Sequence, residues 1–286
     1  MSQKDDKFEL GALKTPFDAR DYVFEVVRAH GEPAAMELPK TYLKEEDVFL
    51  VKNQGPNGAC VAFATSTLKD TQEIRDTKIK GPTSPLFVYN LRPNAPDSGM
   101  YFRDAFTILK EDGICLEETF PYDPKSADKP TTDARREALS HKITAYAQVY
   151  TVEGIKEAIL MNGPVVMGSG VYSYDTNFWD SSRSQYYGRH ATALIGWDET
   201  GFIGQNSWGA NWGDEGRFHV PFGEIGKHRM EYWTAVDEIT GKDAKQISWS
   251  EFLWWRIKHN PGPWIAGGVG ILVGLGLITL LLLNFL

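Results

Sequence analysis

The architecture of this chain of 286 residues is best predicted from the sequence Gln54-Gly55-Pro56-Asn57-Gly58-Ala59-Cys60-Val61-Ala62-Phe63-Ala64. Asn57 and Gly58 are typical of the turn that precedes a helix. From Cys60 onward the apolar side chains recur at helical spacing, which predicts a helix over 60–76 with one buried side. The cysteine would therefore stand at the N-terminus of a buried helix, shortly after a glutamine.

A cysteine in that position has a chemical consequence. Unpaired backbone N–H groups at a helix N-terminus carry partial positive charge and favour the thiolate, which is the nucleophilic form. Further along the chain, His190 opens an apolar run and Asn206 begins Asn206-Ser207-Trp208-Gly209. Cys60, His190 and Asn206 thus supply a nucleophile, a base and an amide that can orient the base. Gln54 adds a donor for an oxyanion, so the set predicts acyl transfer through a covalent thioester.

In this order, the residues resemble the papain-like cysteine proteases, peptidase family C1. In that family a His and an Asn follow the nucleophilic Cys by about 130–150 residues, as His190 and Asn206 follow Cys60 here. The resemblance extends from about Leu38 to about Val236. It implies an α+β fold of two subdomains, one helical and one rich in strands, with the active-site cleft between them. It also implies a polypeptide substrate.

Two positions depart from the family pattern, which usually reads Cys-Gly-Ser-Cys-Trp around the nucleophile. Asn57 replaces the first cysteine, which normally enters a disulfide, and Val61 replaces the tryptophan. The first change removes a crosslink and the second reshapes the cleft wall, but neither removes a catalytic group. The chain has two cysteines, and we interpret the second, Cys115, as a buried structural thiol. A chain of this size without a disulfide indicates a reducing compartment.

The resemblance assigns a role to each site residue. Cys60 and His190 would form a thiolate–imidazolium pair, and Asn206 would hold the imidazole in its productive orientation. Gln54 would stabilise the oxyanion together with the backbone N–H of Cys60. Trp208 would cover the bond between histidine and asparagine and form part of the substrate-binding surface.

The specificity pocket is predicted near a glycine in the first half of the chain. The family's Gly-Gly segment corresponds most closely to Asp97-Ser98-Gly99-Met100-Tyr101. Gly99 is expected to contact the backbone of the substrate, and Met100 to line an apolar pocket. The remaining histidines do not have the spacing of metal ligands, so we expect neither a metal site nor a cofactor.

Periodicity predicts helices first and strands later. Helices are expected over 60–76, 101–111 and 152–161, and strands over 165–168, 191–197, 201–205 and 216–220. Asp198-Glu199-Thr200-Gly201 is expected to form a hairpin turn. This order is typical of an α+β domain.

Composition narrows the class of protein further. A hydrophobic content of 42% supports a globular core, and a net charge of -8 without a long basic run excludes a typical nucleic-acid-binding protein. The polar N-terminus has no apolar core of a signal peptide.

The C-terminal sequence predicts a membrane anchor. Residues 260–286 contain no charged side chain, and 264–283 is long enough to cross a bilayer as a helix. Arg256 and Lys258 precede this segment, which predicts a catalytic domain on the cytoplasmic face. The alternative is a buried core helix. Ala266, Gly270 and Gly274 form a small-residue ladder that would let two such helices dimerise; simple helix flexibility is the alternative.

These observations predict four regions: a lead over 1–37, a protease domain over 38–240, a juxtamembrane linker over 241–263 and a transmembrane tail over 264–286. The tryptophans before the tail are expected to lie in the headgroup layer of the membrane. The alternative is that they pack on the protease domain. The lead is shorter than the family's inhibitory pro-segment. We therefore expect Pro16–Tyr22 to pack on the domain surface rather than to act as a detachable inhibitor.

The leading hypothesis is a membrane-tethered cysteine endopeptidase. The same thiol chemistry would also serve an acyltransferase or amidase, because the acceptor decides the product. A third hypothesis is a non-catalytic, membrane-anchored module that holds peptides in its cleft. Taken singly, Cys60 could be an inert core cysteine, His190 a core histidine and Asn206 a turn residue. A separate alternative is an enzyme that keeps the fold and has lost its activity.

Overall fold

The computed structural model describes residues 8–30, 36–48, 50–76 and 81–236. The predicted linker and tail, residues 241–286, lie outside the described residues. Within the described ranges, no helix is both long and apolar enough to span a bilayer. Apart from Asp18–Arg20, the described residues belong to one compact unit. In the second unit only Asp18–Arg20 is described, and there the Arg20 guanidinium donates to the Asp18 carboxylate.

Helices dominate the first half of the fold and strands the second. The α-helices are α1 (Phe24–His30), α2 (Cys60–Asp76), α3 (Pro85–Asn90), α4 (Phe102–Glu111), α5 (Thr132–Ala138) and α6 (Val152–Asn162). The strands are β1 (Ala12–Leu13), β2 (Tyr22–Val23), β3 (Met100–Tyr101), β4 (Ala145–Val149), β5 (Val165–Val171), β6 (Gly188–Trp197), β7 (Gly201–Gln205), β8 (Arg217–Pro221) and β9 (Glu231–Val236). Short 3₁₀ helices cover Glu45–Asp47 and Phe222–Glu224.

The predicted elements are confirmed, and several others were missed. Helix α2 and strand β7 have the predicted bounds, and α4, α6, β5, β6 and β8 lie where the pattern placed them. Helices α3 and α5 are too short to show a clear period, although each carries a start signal. The hydroxyl of Ser84 caps α3, which has Pro85 in its first turn, and the hydroxyl of Thr131 caps α5.

A seven-stranded sheet forms the β-rich part, with the order β2-β4-β9-β5-β6-β7-β8. Only β2 and β4 pair in parallel, and the other neighbours are antiparallel. The pairing of β5 with β6 places Ser169 opposite His190. A separate pair, β1 with β3, is parallel and sets Ala12 opposite Met100.

Helix α2 is buried on more sides than its apolar pattern predicts. Its residues from Cys60 to Ser66 and from Leu68 to Glu73 are buried, including three charged side chains. Those charges are paired, because Lys69 contacts Glu73 at 2.5 Å and Lys52 contacts Asp70 at 2.7 Å. Pairing is the condition under which a charge can be buried at tolerable cost. Because the apolar pattern of the sequence does not show these ion-pair partners, it predicts burial on only one side of α2.

Residues 21–28 attach the N-terminal part of the chain firmly to the sheet. Strand β2 pairs with β4, and Phe24 is buried at the start of α1. The Glu25 carboxylate accepts hydrogen bonds from the backbone N–H groups of Tyr150, at 2.7 Å, and Thr151, at 2.8 Å. Burial raises the pKa of Glu25 above its ordinary value, although these donors act in the opposite direction.

Glu25→Ala should destabilise the folded chain by ~1–3 kcal/mol, because two partly buried N–H groups lose their acceptor. The free energy of unfolding in urea measures this loss. Glu37→Ala, at an exposed position, is the matched control and should change stability little. Equal stability of the two variants would contradict the anchoring role of Glu25.

Candidate active site

Cys60 is the first residue of α2 and its thiol is buried. The backbone of Gly11 and of Ala191, like that at the start of α2, lies near enough to the thiol to lower the pKa of Cys60 against the effect of burial. Ala191 follows His190 in β6, so the packing of α2 on β6 brings the cysteine to the histidine's segment of the strand. The helix N-terminus and the strand thus meet at the sulfur.

His190 is held by its neighbours in one orientation. Its Nε2 lies 2.7 Å from Oδ1 of Asn206, and the ring stacks on Trp208 with centroids 4.5 Å apart. Because an amide oxygen only accepts, Nε2 carries the proton and the neutral ring keeps a lone pair on Nδ1. Among the described residues Nδ1 has no hydrogen-bond partner. That nitrogen is therefore available to act as a base.

Gln54 is oriented by the residue that follows Asn206. The hydroxyl of Ser207 donates to Oε1 of Gln54 at 2.6 Å, and the Ser207 carbonyl accepts from the Gln54 backbone N–H at 2.8 Å. These contacts turn the Nε2 donors away from Ser207. Both donors are used in this structure, since Nε2 lies 2.8 Å from the carbonyl oxygens of Glu9 and Asn57.

The N-terminal residues 8–13, here called the strap, lie along these groups. Phe8 stacks on Trp208 with centroids 5.0 Å apart, and Glu9 offers its carbonyl to Gln54. The backbone of Gly11 lies beside the Cys60 thiol, and its carbonyl accepts from Met100 N at 2.8 Å. Sequence reasoning missed this placement. The expectation of surface packing concerned Pro16–Tyr22, and a two-residue parallel pairing to β3 leaves no pattern in the sequence that would predict the position of residues 8–13.

The substrate-binding residues predicted from the sequence all border the strap. Gly99 has a φ of +84°, and a Cβ built on it would lie 2.7 Å from the carbonyl oxygen of Gly11, so a glycine is needed at this close approach. Met100 is buried beside Ala12 in the same hydrophobic cluster. Trp208 lies between His190 and Phe8. The structure therefore places Gly99 and Met100 against Gly11 and Ala12, and Trp208 against Phe8.

The match to a known protein family covers most of the fold. Residues 38–233 match the model of the papain family cysteine proteases. The chain belongs to this family.

Relatives of this papain-family chain support the assignment. An uncharacterized peptidase C1-like protein of Acanthamoeba polyphaga mimivirus is 30% identical over 220 residues, which cover 66% of this chain and 70% of the relative. A cathepsin L-like proteinase of Phaedon cochleariae is 29% identical over 181 residues, which cover 59% of this chain and 55% of the relative. The chain thus spans 55% to 70% of the length of these two relatives.

Solved structures give the same fold. Xylellain, a cysteine protease from Xylella fastidiosa, superposes with a TM-score of 0.67 at 25% identity, over 83% of this chain and 99% of that chain. The digestive procathepsin L2 proteinase of Tenebrio molitor superposes with a TM-score of 0.62 at 20% identity, over 77% of this chain and 76% of that chain. At that identity, the second likeness concerns the fold alone.

Burial sets the protonation of the papain-family site in this state. It raises the pKa of the Cys60 thiol to about 11 and lowers the pKa of His190 to about 4, although the bond to Asn206 acts against the second shift. Both groups are therefore neutral near pH 7. Desolvation of the buried thiol and imidazole thus opposes both charges of the thiolate–imidazolium pair that the sequence predicts.

The two departures from the family pattern have simple structural outcomes. Asn57 donates its side-chain amide to the carbonyl of Pro124 at 3.0 Å, which ties together chain segments without a crosslink. Val61 is buried in the hydrophobic cluster beside Cys60. Cys115 is also free and buried, and burial raises its pKa to about 12. This is consistent with the structural role predicted for it.

The neutral pair gives a spectroscopic prediction. In the intact chain, the Cys60 thiol should stay protonated and the His190 ring neutral between about pH 5 and about pH 8, because one pKa lies above and the other below this range. The Cβ chemical shift of ¹³C-labelled cysteine and the ring shifts of histidine measure the two groups, with Cys115 as the internal reference. A thiolate shift at neutral pH would contradict the desolvated state.

Proposed function

We propose that this chain is a membrane-tethered cysteine endopeptidase that hydrolyses peptide bonds through Cys60, His190 and Asn206. The observation that carries the proposal is the bond of 2.7 Å from His190 Nε2 to Asn206 Oδ1, beneath the Trp208 ring. Because this bond places the proton on Nε2, Nδ1 of His190 is the basic atom of the ring, and His190 belongs to the part of β6 that lies against the buried thiol. A core histidine with only a structural role would not require this tautomer.

The reaction follows from these groups once a substrate replaces the strap. Nδ1 of His190 takes the thiol proton, and the sulfur of Cys60 forms a bond to the carbonyl carbon of the substrate. Gln54 Nε2 and the Cys60 backbone N–H receive the oxyanion. The imidazolium then gives its proton to the leaving amine as the C–N bond breaks, and a water molecule activated by the same ring hydrolyses the thioester.

Cys60→Ala should leave no measurable peptide hydrolysis, because the nucleophile is removed, whereas Cys115→Ala should retain turnover. Cleavage of a diverse peptide library, with products identified by mass spectrometry, measures both variants. Robust turnover by Cys60→Ala would contradict the proposal. Products joined to an added amine, rather than to water, would favour the acyltransferase hypothesis. Peptide binding without any Cys60-dependent product would favour the non-catalytic module.

Membrane attachment is proposed from the sequence outside the described residues. Residues 264–283 carry no charge and suit a single transmembrane helix, and Arg256 and Lys258 before it favour a cytoplasmic catalytic domain. Ala266, Gly270 and Gly274 would form the face through which two such helices pair. A peptidase held in this way would act on polypeptides near the membrane surface.

The full chain should remain with phospholipid vesicles after extraction at alkaline pH, because a spanning helix is not released by removing charge interactions. A chain of residues 1–240 should be found in the supernatant. Sedimentation followed by immunoblotting measures the partition. Release of the full chain under these conditions would contradict the anchor, while leaving the peptidase assignment untouched.

A further inference from the structure

We infer that Tyr122 is a positioning residue for the oxyanion site. Its hydroxyl holds the main chain of Gln54 and its ring packs on the start of α2, so that the two oxyanion donors keep one separation. The inference rests on the proposed function, in which Gln54 and the backbone N–H of Cys60 supply those donors. Tyr122 acts through Gln54.

The segment of chain that joins the two donors does not fix their separation by itself. Residues 55–59 contain neither helix nor strand, and two of them are glycines. Gly55 has a φ of +55°, and a Cβ built on it would meet no atom within 4 Å. Glycine has more backbone freedom than any other residue, and packing does not restrict it at this position. The distance between the donors therefore depends on contacts from outside residues 55–59.

The main chain of Gln54 is held from two directions. Its N–H donates to the carbonyl of Ser207 at 2.8 Å, and Ser207 belongs to the turn after β7. Its carbonyl accepts from the hydroxyl of Tyr122 at 2.7 Å, and Tyr122 lies in the connection between α4 and α5. Both main-chain polar groups of Gln54 thus have a partner, one from each half of the fold. Loss of the Tyr122 hydroxyl would leave the carbonyl side without this partner.

Asn57 links the middle of the segment to the same connection. Its side-chain amide donates to the carbonyl of Pro124 at 3.0 Å. Burial raises the pKa of the Tyr122 hydroxyl, and the nearby Asn57 amide acts in the opposite direction. The hydroxyl stays protonated near pH 7 and can donate to Gln54. In the family pattern, position 57 is a cysteine that enters a disulfide, so hydrogen bonds to residues 122–124 take the place of that covalent link here.

The ring of Tyr122 contacts the helix that carries the nucleophile. It meets the ring of Phe63 edge to face, with centroids 4.8 Å apart. Phe63 lies in the first turn of α2, so its position is tied to that of Cys60. The backbone N–H of Tyr122 donates to the Glu117 carboxylate at 2.7 Å, which fixes Tyr122 in turn. One side chain therefore touches both Gln54 and the helix that begins at Cys60.

The first test removes the hydroxyl and keeps the ring. It uses the full chain carrying Cys115→Ala, in which Cys60 is the remaining cysteine. Tyr122→Phe should lower kcat for a peptide substrate by about tenfold or more and leave KM nearly unchanged, because a displaced donor weakens binding of the transition state. The loss should be smaller than the roughly 10²–10³ expected for Gln54→Ala, which removes the donor itself.

Tyr146→Phe is the matched control. Tyr146 is also partly buried, and its hydroxyl lies 3.2 Å from the hydroxyl of Thr107. The substitution removes one hydroxyl contact in another part of the fold, so kcat should equal that of the parent. Urea unfolding confirms that every variant is folded under the assay conditions.

Two further measurements separate positioning from a structural role. In a chain that already carries Gln54→Ala, Tyr122→Phe should lower kcat no further, because the donor that it positions is gone. Alkylation of Cys60 by iodoacetamide should proceed at the parent rate in Tyr122→Phe. In that reaction the sulfur displaces iodide from a saturated carbon, and no oxyanion forms. A general disturbance of α2 would change alkylation and hydrolysis together.

Three results would overturn the inference alone: an unchanged kcat in Tyr122→Phe, the same fold loss with and without Gln54→Ala, or alkylation that slows in parallel with hydrolysis. Each of them requires a parent chain whose hydrolysis depends on Cys60, and so leaves the peptidase assignment intact. A parent chain without such hydrolysis would contradict the proposed function and, with it, the role of Tyr122.

Discussion

The contact between the N-terminus of α2 and strand β6 is the constraint on which the site depends. It brings Cys60 against the backbone of Ala191, the residue that follows His190 in β6. The same packing buries Val61 against the sheet and fixes the helix end whose N–H groups favour a thiolate. Asn206, Ser207 and Trp208 then complete the site, because the turn after β7 places all three beside His190 and Gln54.

The charge state of the site depends on how much water reaches it. In the strap-covered arrangement the thiol and the imidazole are both desolvated, and their pKa values move in opposite directions toward the neutral forms. The backbone at the helix N-terminus and the bond to Asn206 act in the opposite direction and favour the ionised pair.

The buried polar groups around α2 serve the same arrangement. A helix that is buried on several sides positions its first residue more firmly than a surface helix, but it must satisfy its charged side chains. Lys69 with Glu73, and Lys52 with Asp70, meet that requirement, and Glu73 also lies 2.7 Å from His141. The anchoring of Glu25 to Tyr150 and Thr151 fixes the N-terminal segment in a comparable way.

The sequence by itself determined the α+β class, helix α2 to the residue and strand β7, because these depend on local periodicity. Its ordered set of chemical types predicts Cys60, His190, Asn206 and Gln54 as the site. Only the tertiary structure decided the burial of the thiol and imidazole, the partners of the buried charges, and the position of the strap. Each of these arises from contacts between residues far apart in the chain. The pairing that begins at Ala12 and Met100 covers two residues of each strand, which is too few to produce a periodic pattern. Burial by a distant segment likewise cannot be recognised from the sequence of the residues that it covers.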